Sequence, residues 1–275
     1  MLSSPLDVFV SGTVAGATEI STTIPLEVIK TQMQLHPNKY SGTLHAGKTI
    51  FQNNGFKSLY SGLPVLLVQV SLKVGFRFTV YDQLKQYFSD HHGNISNRNK
   101  ILSGFLTGFI EGSLITTPTE RIKVLQQNQI NKNVKLSGLQ TINNIIYENG
   151  IRGLWKGWFP TMTRQCINTG VRLALYEPTK DFYLHQEKST INSNIGIISG
   201  GTVGFIGAII THPVDVVKSH TQAYNSSIIK NTKNIFSTMG AIGFFQGLRP
   251  RLWRMTLSQA ITFGVYELVY NTVSQ

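Results

Sequence analysis

Lysine and arginine side chains recur inside three otherwise apolar stretches of this 275-residue sequence. In the first stretch Lys73 and Arg77 are four residues apart, and Gln69 precedes them by another four, so a helix places all three on one face. A guanidinium group offers paired donors to a carboxylate or phosphate, and an ammonium group offers a compact point charge. We therefore predict a site for an anion with several negative charges. Its candidate residues are Gln69, Lys73, Arg77, Arg164, Gln165, Asn168, Arg172, Arg251 and Arg254.

Basic side chains near helix ends can instead extend to lipid headgroups. This alternative suits Arg249 and Arg251, which lie close to a predicted helix start. It suits poorly the four basic residues that lie well inside their helices. These four are Lys73, Arg77, Arg164 and Arg172.

A second pattern is a proline followed by an acid two positions later and a lysine five positions later. It occurs at Pro25, Pro118 and Pro213, which are 93 and 95 residues apart. This period is too long for a solenoid and indicates three copies of one unit around a common axis. An acid and a base three residues apart can also pair within one helix, which is the alternative interpretation. The ionisable residues of the three motifs are Glu27, Lys30, Glu120, Lys123, Asp215 and Lys218.

Each unit contains two stretches that could cross a membrane. Residues 194–211 carry no charge, and residues 101–117 and 8–24 are similar apart from Glu111 and Glu19. We expect these three helices to end at the proline of their unit. The second stretches carry basic residues in mid-course, which membrane helices tolerate when the charges face a bundle interior. They lie near residues 61–88, 156–185 and 247–273.

Between the two stretches of each unit lies a polar, amphipathic segment, predicted to form a short helix along one membrane face. These segments are residues 44–52, 139–147 and 228–236. The prediction is thus an all-α membrane protein with six transmembrane helices in three pseudo-threefold repeats. We assign the repeats to residues 1–92, 93–187 and 188–275 of one integral bundle.

The composition limits the partners of the chain. A formal net charge of +12, from 25 basic and 13 acidic residues, fits nucleic acid, an anionic membrane or an anionic substrate. The basic residues form no continuous tract, which argues against nucleic acid. The single cysteine, Cys166, excludes a disulfide framework and a zinc site of several thiolates, and we expect it to be buried. The first residues show no cleavable signal or transit peptide.

An enzyme and a soluble basic binding protein are the alternatives from other classes. Seven histidines supply the obvious general bases, but no Ser-His-Asp arrangement, phosphate-binding loop or metal-ligand spacing accompanies them. We therefore expect neither catalysis nor a cofactor or metal.

Two further motifs recur in register with the proline motif. The first is an aromatic-x-Gly step, seen at Tyr60-Ser61-Gly62, Trp155-Lys156-Gly157 and Phe245-Gln246-Gly247. The second is an aromatic residue and an acid followed by a lysine, as in Tyr81-Asp82-Gln83-Leu84-Lys85 and Tyr176-Glu177-Pro178-Thr179-Lys180, with Tyr266-Glu267-Leu268-Val269-Tyr270 in the third unit. Together the three motifs resemble the mitochondrial carrier family, and the resemblance covers essentially the whole chain.

The resemblance implies a six-helix transporter of the mitochondrial inner membrane that alternates between two open states. Its proline motifs form a ring of salt bridges, the matrix gate, and its short helices lie on the matrix side. The implied pairs are Glu27 with Lys123, Glu120 with Lys218, and Asp215 with Lys30. A cytoplasmic gate would pair Asp82 with Lys180 and Glu267 with Lys85, while Glu177 would face Tyr270 instead of a lysine.

The basic residues resemble those of the citrate, or tricarboxylate, carriers in particular. Matching patterns are Lys-x-x-x-Arg at Lys73, Arg-Gln with a second arginine eight residues later at Arg164, and Pro-Arg-x-x-Arg at Pro250. Gln69 and Leu72 depart from that subfamily. Succinate/fumarate carriers share most of these patterns, so a dicarboxylate carrier is the alternative, ahead of a nucleotide or phosphate carrier.

The resemblance also assigns substrate contacts and lipid partners. The residues seven positions after the aromatic-x-Gly glycines are expected to meet the substrate, and they are Gln69, Arg164 with Gln165, and Arg254. The steps Tyr40-Ser41-Gly42 and Trp155-Lys156-Gly157 resemble cardiolipin-binding segments, where amides at helix starts receive phosphate. We expect a monomer that exchanges citrate for malate or a similar carboxylate.

Overall fold

The structure is a computed structural model that describes residues 5–89, 96–132, 136–186, 193–224 and 226–273. Throughout these residues it consists of helices and the turns that join them, without a β-strand. The α-helices of the described residues are α1 (Pro5–Leu35), α2 (Thr43–Asn54), α3 (Leu63–Tyr87), α4 (Asn97–Glu111), α5 (Thr117–Asn128), α6 (Gly138–Asn149), α7 (Trp158–Gln186), α8 (Ser193–Ala223), α9 (Ile228–Met239) and α10 (Leu248–Val273).

The same local order repeats in the three units. A long helical stretch is followed by a short helix, a 3-10 turn and a second long helix. The predicted short amphipathic helices are confirmed as α2, α6 and α9, each 12 residues long. Ser137 begins α6 with a capping box, in which its side chain and that of Gln140 bond each other's backbone N–H groups.

The prediction that the first helix of each unit ends at its proline is wrong. Helix α1 runs through Pro25 to Leu35, and α8 runs through Pro213 to Ala223. Proline removes one backbone donor and kinks a helix, but packing against neighbouring helices can hold the helix together beyond it. In the middle unit a π-helical segment, Gly112–Thr116, separates α4 from α5, and Pro118 then lies in the first turn of α5.

The long helices expose large apolar side chains, and many polar side chains are buried between the helices beside an apolar cluster around Ile24 and Ile50. Exposed large apolar side chains on the long helices include Val68, Leu72, Phe105, Phe159, Phe205 and Trp253. Buried polar residues include Glu27, Gln32, Glu111, Lys123, Asp215 and Lys218. Large exposed apolar surfaces mark membrane or partner contacts. Among the described residues one helical stretch, Phe56–Tyr87, is long and apolar enough by composition to cross a membrane.

Three glycines lie where neighbouring units contact each other. Gly62, Gly157 and Gly247 precede the second long helices with φ of 87°, 88° and 79°, which L side chains rarely adopt. A Cβ at Gly157 would lie 2.7 Å from the side chain of Gln222 on α8, and one at Gly247 would lie 2.9 Å from the carbonyl oxygen of Lys30 on α1. Each unit therefore packs closely against the first helix of the next.

Cys166 is exposed on α7, so the prediction of a buried thiol is wrong. Cys166 lies two residues after Arg164, which faces the interior of the bundle. Residues two apart in a helix point in different directions, so the thiol lies on a side of α7 that the other described helices do not cover.

Candidate functional site

The acids and lysines of the three proline motifs meet between helices. We call these six residues the inner ring. Lys123 Nζ lies 2.7 Å from Glu27 Oε1, Lys30 Nζ lies 3.3 Å from Asp215 Oδ2, and Lys218 Nζ contacts Glu120 Oε2. The ring therefore joins α1 to α5, α5 to α8, and α8 back to α1.

The inner ring is largely shielded from solvent. Its side chains are between 6% and 13% exposed. Among the described residues every ion pair of the ring joins two units, and none joins the acid and lysine of one motif. Buried charges require partners, and removing one partner leaves an uncompensated charge. The ring is thus a strong mutual contact of the three units at the level of the prolines.

Each inner-ring acid also contacts an arginine from the second long helix of a unit. These contacts are Arg254 Nη1 to Glu27 Oε2 at 2.9 Å, Arg251 Nη1 to Asp215 Oδ2 at 2.7 Å, Arg164 Nη2 to Glu120 Oε1 at 3.5 Å and Arg164 Nε to Asp215 Oδ1 at 3.3 Å. The sequence pattern predicted that these arginines bind the substrate, and it gave no indication of their contacts with the ring. Arg164 and Arg254 both lie seven residues after an aromatic-x-Gly glycine, so the two side chains lie at one level of the bundle. This shared spacing is the signal that could have indicated their contacts with the ring.

Two further acids lie above the ring. Lys73 Nζ is 3.8 Å from Glu111 Oε1, and Glu111 is only 2% exposed. Arg254 Nη2 is 3.7 Å from Glu19 Oε1, and the Ser258 hydroxyl donates to the same oxygen. In the sequence, Glu19 and Glu111 interrupt apolar runs, and nothing there indicated their partners.

A polar cavity of about 300 Å³ lies over the inner ring. Besides the ring residues, its lining includes Gln69, Lys73, Arg164, Asn168, Arg251 and Arg254. The structure thus brings together six of the nine predicted anion-binding residues. Gln69 is buried, and its Nε2 donates to Thr119 Oγ1 at 2.6 Å.

The structure does not place the other three predicted anion-binding residues in this lining, and it describes the side chain of only one of them, Gln165. Gln165 is half-buried on α7 and is absent from the cavity wall. Arg77 on α3 and Arg172 on α7 have side chains outside the described part of the structure.

A layer of amide side chains lies beyond the ring, where α1 meets α5. The Gln32 side chain donates to the carbonyl oxygen of Gln127, and Asn131 Nδ2 donates to Gln32 Oε1 at 2.6 Å. The Tyr40 hydroxyl lies 3.4 Å from the same Gln32 oxygen and 3.2 Å from Asn131 Oδ1. Gln32 is fully buried, so this layer braces the first two units against each other.

The predicted cytoplasmic gate is described only in part. Asp82 and Lys85 are exposed near the end of α3. The side chains of Glu177, Lys180 and Glu267 lie outside the described part of the structure, and so does that of Tyr270. The pairing of this gate therefore stays a prediction.

The predicted lipid contacts lie at helix starts. Gly42 is the N-cap of α2 and offers no side-chain acceptor to the first amides of that helix. Trp155 Nε1 donates to the carbonyl oxygen of Ser113 at 2.8 Å, which fixes the step before α7. Cardiolipin binding at these steps stays a prediction.

Comparisons with known proteins identify the family of the chain. The sequence model of the mitochondrial carrier protein family matches residues 2–92, 93–187 and 190–275. The chain is 34% identical to mitochondrial citrate transporter A of Aspergillus niger, over 96% of the chain and 91% of that protein. It is 29% identical to the tricarboxylate transport protein of Saccharomyces cerevisiae, over 96% of the chain and 95% of that protein. An uncharacterized mitochondrial carrier of Schizosaccharomyces pombe is 36% identical over 96% of the chain and 92% of its own length. The chain therefore belongs to the mitochondrial carrier family and is a multi-pass protein of the mitochondrial inner membrane.

Proposed function

We propose that the protein is an alternating-access antiporter that exchanges a tricarboxylate for a dicarboxylate, such as citrate for malate. The observation that carries the proposal is the cavity in which Lys73, Arg164, Arg251 and Arg254 converge above the inner ring. Several guanidinium groups around a small polar cavity suit a compact anion with several carboxylates. The citrate and tricarboxylate transporters among the relatives support the same substrate class.

A nucleotide fits this cavity poorly. Its described lining contains no aromatic ring, on which a base could stack. One observation favours a dicarboxylate carrier of the succinate/fumarate kind as the second candidate. Lys73 and Arg254 already contact Glu111 and Glu19, which reduces the positive charge available to a third carboxylate.

The proposed mechanism couples binding to the ring through shared arginines. Arg164 contacts Glu120 and Asp215, and Arg254 contacts Glu27. A bound carboxylate competes with these acids for the guanidinium groups and so weakens the closed ring. A ligand shifts a conformational equilibrium only through differential affinity, and this competition supplies it.

The remaining elements of the proposal follow the family resemblance. The inner ring serves as the matrix gate, and Asp82, Lys85, Glu177, Lys180 and Glu267 form the cytoplasmic gate. Six membrane-spanning helices, two from each unit, enclose the path. The protein acts as a monomer and binds cardiolipin at the helix starts on the matrix side.

Exchange in liposomes tests the proposal. Purified protein is reconstituted, the vesicles are loaded with malate, and uptake of labelled citrate is measured with malate, succinate, oxoglutarate and ATP as competitors. We expect uptake that carboxylates inhibit and ATP does not. Arg164→Ala should abolish it, whereas Arg249→Ala, at an exposed position near the start of α10, should not. Wild-type protein that takes up neither citrate nor a dicarboxylate would refute the proposal.

A further inference from the structure

A buried histidine joins α8 to the start of α10. His212 precedes Pro213, and its side chain is fully buried. Its Nε2 lies 3.0 Å from the carbonyl oxygen of Gln246, and its Nδ1 lies 3.2 Å from Arg251 Nη1. The ring of Phe245 stacks on the imidazole at a centroid distance of 6.5 Å. The imidazole therefore has a partner at each nitrogen and on one face.

These contacts fix the charge state and the tautomer of the imidazole. A carbonyl oxygen only accepts hydrogen bonds, so the proton lies on Nε2 and is donated to Gln246. A guanidinium group only donates, so Nδ1 accepts from Arg251. An imidazolium has donors at both nitrogens and would face the guanidinium group with like charge. His212 is thus uncharged, and it supplies one acceptor to Arg251.

The other partners of Arg251 also lie on α8. Its Nη2 donates to Thr211 Oγ1 at 2.8 Å, and its Nη1 lies 2.7 Å from Asp215 Oδ2. Three acceptors therefore hold one guanidinium group. Arg251 is among the described lining residues of the cavity above the inner ring, and His212 is not. A long side chain with many rotamers is thus fixed in the cavity wall by a residue behind it.

The other two units have uncharged residues at the equivalent positions. Before the motif proline, the first unit has Ile24 and the second has Thr117. Four residues after the aromatic-x-Gly glycine, where the third unit has Arg251, they have Leu66 and Thr161. All four are buried, and Ile24 and Leu66 belong to one apolar cluster. The repeated fold therefore needs no base here, and the third unit has both a base and an acceptor for it.

We propose that His212 is a positioning residue for substrate binding. As a neutral acceptor it holds Arg251 in the cavity wall, so the substrate meets a guanidinium group that is already ordered. Ordering such a side chain during binding weakens affinity by about three- to tenfold. The inference rests on the proposed function and deepens it, because it assigns part of the affinity for carboxylates to a residue behind the cavity wall.

Asparagine and glutamine at position 212 distinguish the roles of the two ring nitrogens. Asparagine Oδ1 takes the position of Nδ1 and accepts from Arg251, whereas glutamine Nε2 takes the position of the ring Nε2 and keeps only the bond to Gln246. Citrate exchange in liposomes gives KM and kcat for both variants. We expect His212→Gln to raise KM about three- to tenfold, with kcat within about twofold of wild type. His212→Asn should rescue KM to within about twofold of wild type, although it loses the bond to Gln246.

His212→Ile provides a second variant should the glutamine variant fail to fold. It introduces the residue type of Ile24 in the first unit and removes both hydrogen bonds, so it should raise KM as the glutamine variant does. An unchanged KM in the glutamine and isoleucine variants, or an equal rise in the asparagine variant, would overturn the proposal.

Unfolding in detergent tests the contact without substrate. The variants are His212→Gln, Arg251→Ala and the double variant. If His212 acts on Arg251, the double variant should lose less free energy of unfolding than the sum of the single losses, whereas additive losses would overturn the proposal. Failure of the proposed function is distinguishable, because wild-type protein would then transport no carboxylate while the unfolding measurements still report on the contact.

Discussion

The ion pair between Glu27 and Lys123 allows a quantitative test of the inner ring. Its atoms are 2.7 Å apart, and the two side chains are 7% and 9% exposed. Glu27→Gln leaves both Lys123 and Arg254 without the carboxylate that they share. Lys123→Met leaves Glu27 with Arg254 alone. Removing one partner of a buried pair destabilises a protein by about 3–5 kcal/mol, so each variant should lower the free energy of unfolding by that amount.

The double variant distinguishes a coupled pair from two independent effects. If Glu27 and Lys123 act on each other, the loss in the double variant should be smaller than the sum of the single losses by up to about 3 kcal/mol. The double variant should still have a lower free energy of unfolding than wild type, because Arg254 loses the Glu27 carboxylate that it contacts. Unfolding of the purified protein in detergent measures the three values, and citrate exchange should fall at least about tenfold in each variant.

Asp82→Asn and Lys85→Met are the matched controls, since these two side chains are exposed whereas those of the inner ring are buried. They should change the free energy of unfolding by less than about 0.5 kcal/mol. Losses at Glu27 and Lys123 that add to within about 0.5 kcal/mol would refute the assignment of this contact as a coupled pair.

Three other substitutions test separate features. Gly157→Ala should lower the melting temperature, because a Cβ there meets an α8 side chain at 2.7 Å and φ is 88°, whereas Gly104→Ala has open space and should not. Gln32→Ala removes the brace between α1 and α5 and should reduce the free energy of unfolding by about 1–3 kcal/mol in denaturant titrations. Tyr270→Lys supplies the base that the cytoplasmic gate lacks in the sequence, so it should stabilise the state closed on that side and slow citrate exchange; an equal initial rate would contradict the predicted pairing.

Local signals in the sequence were sufficient for the repeating architecture. The recurring prolines and glycines, together with apolar runs of helical length, predicted three units, the short helices α2, α6 and α9, and the positions of α3, α7 and α10. Such features depend on residues close together in the chain. The ends of α1 and α8 could not be predicted in this way, because contacts with other helices carry both helices past their prolines.

Sequence alone determined which residues carry charge inside the bundle, and the repeat indicated which acids and lysines are equivalent. Only the tertiary structure decided that Arg164 lies between Glu120 and Asp215, and that Lys73 contacts Glu111. The physical reason is that these contacts depend on the rotation and height of each helix relative to its neighbours. Packing of the whole bundle sets both quantities, and a π-helical turn in the middle unit changes the register by one residue.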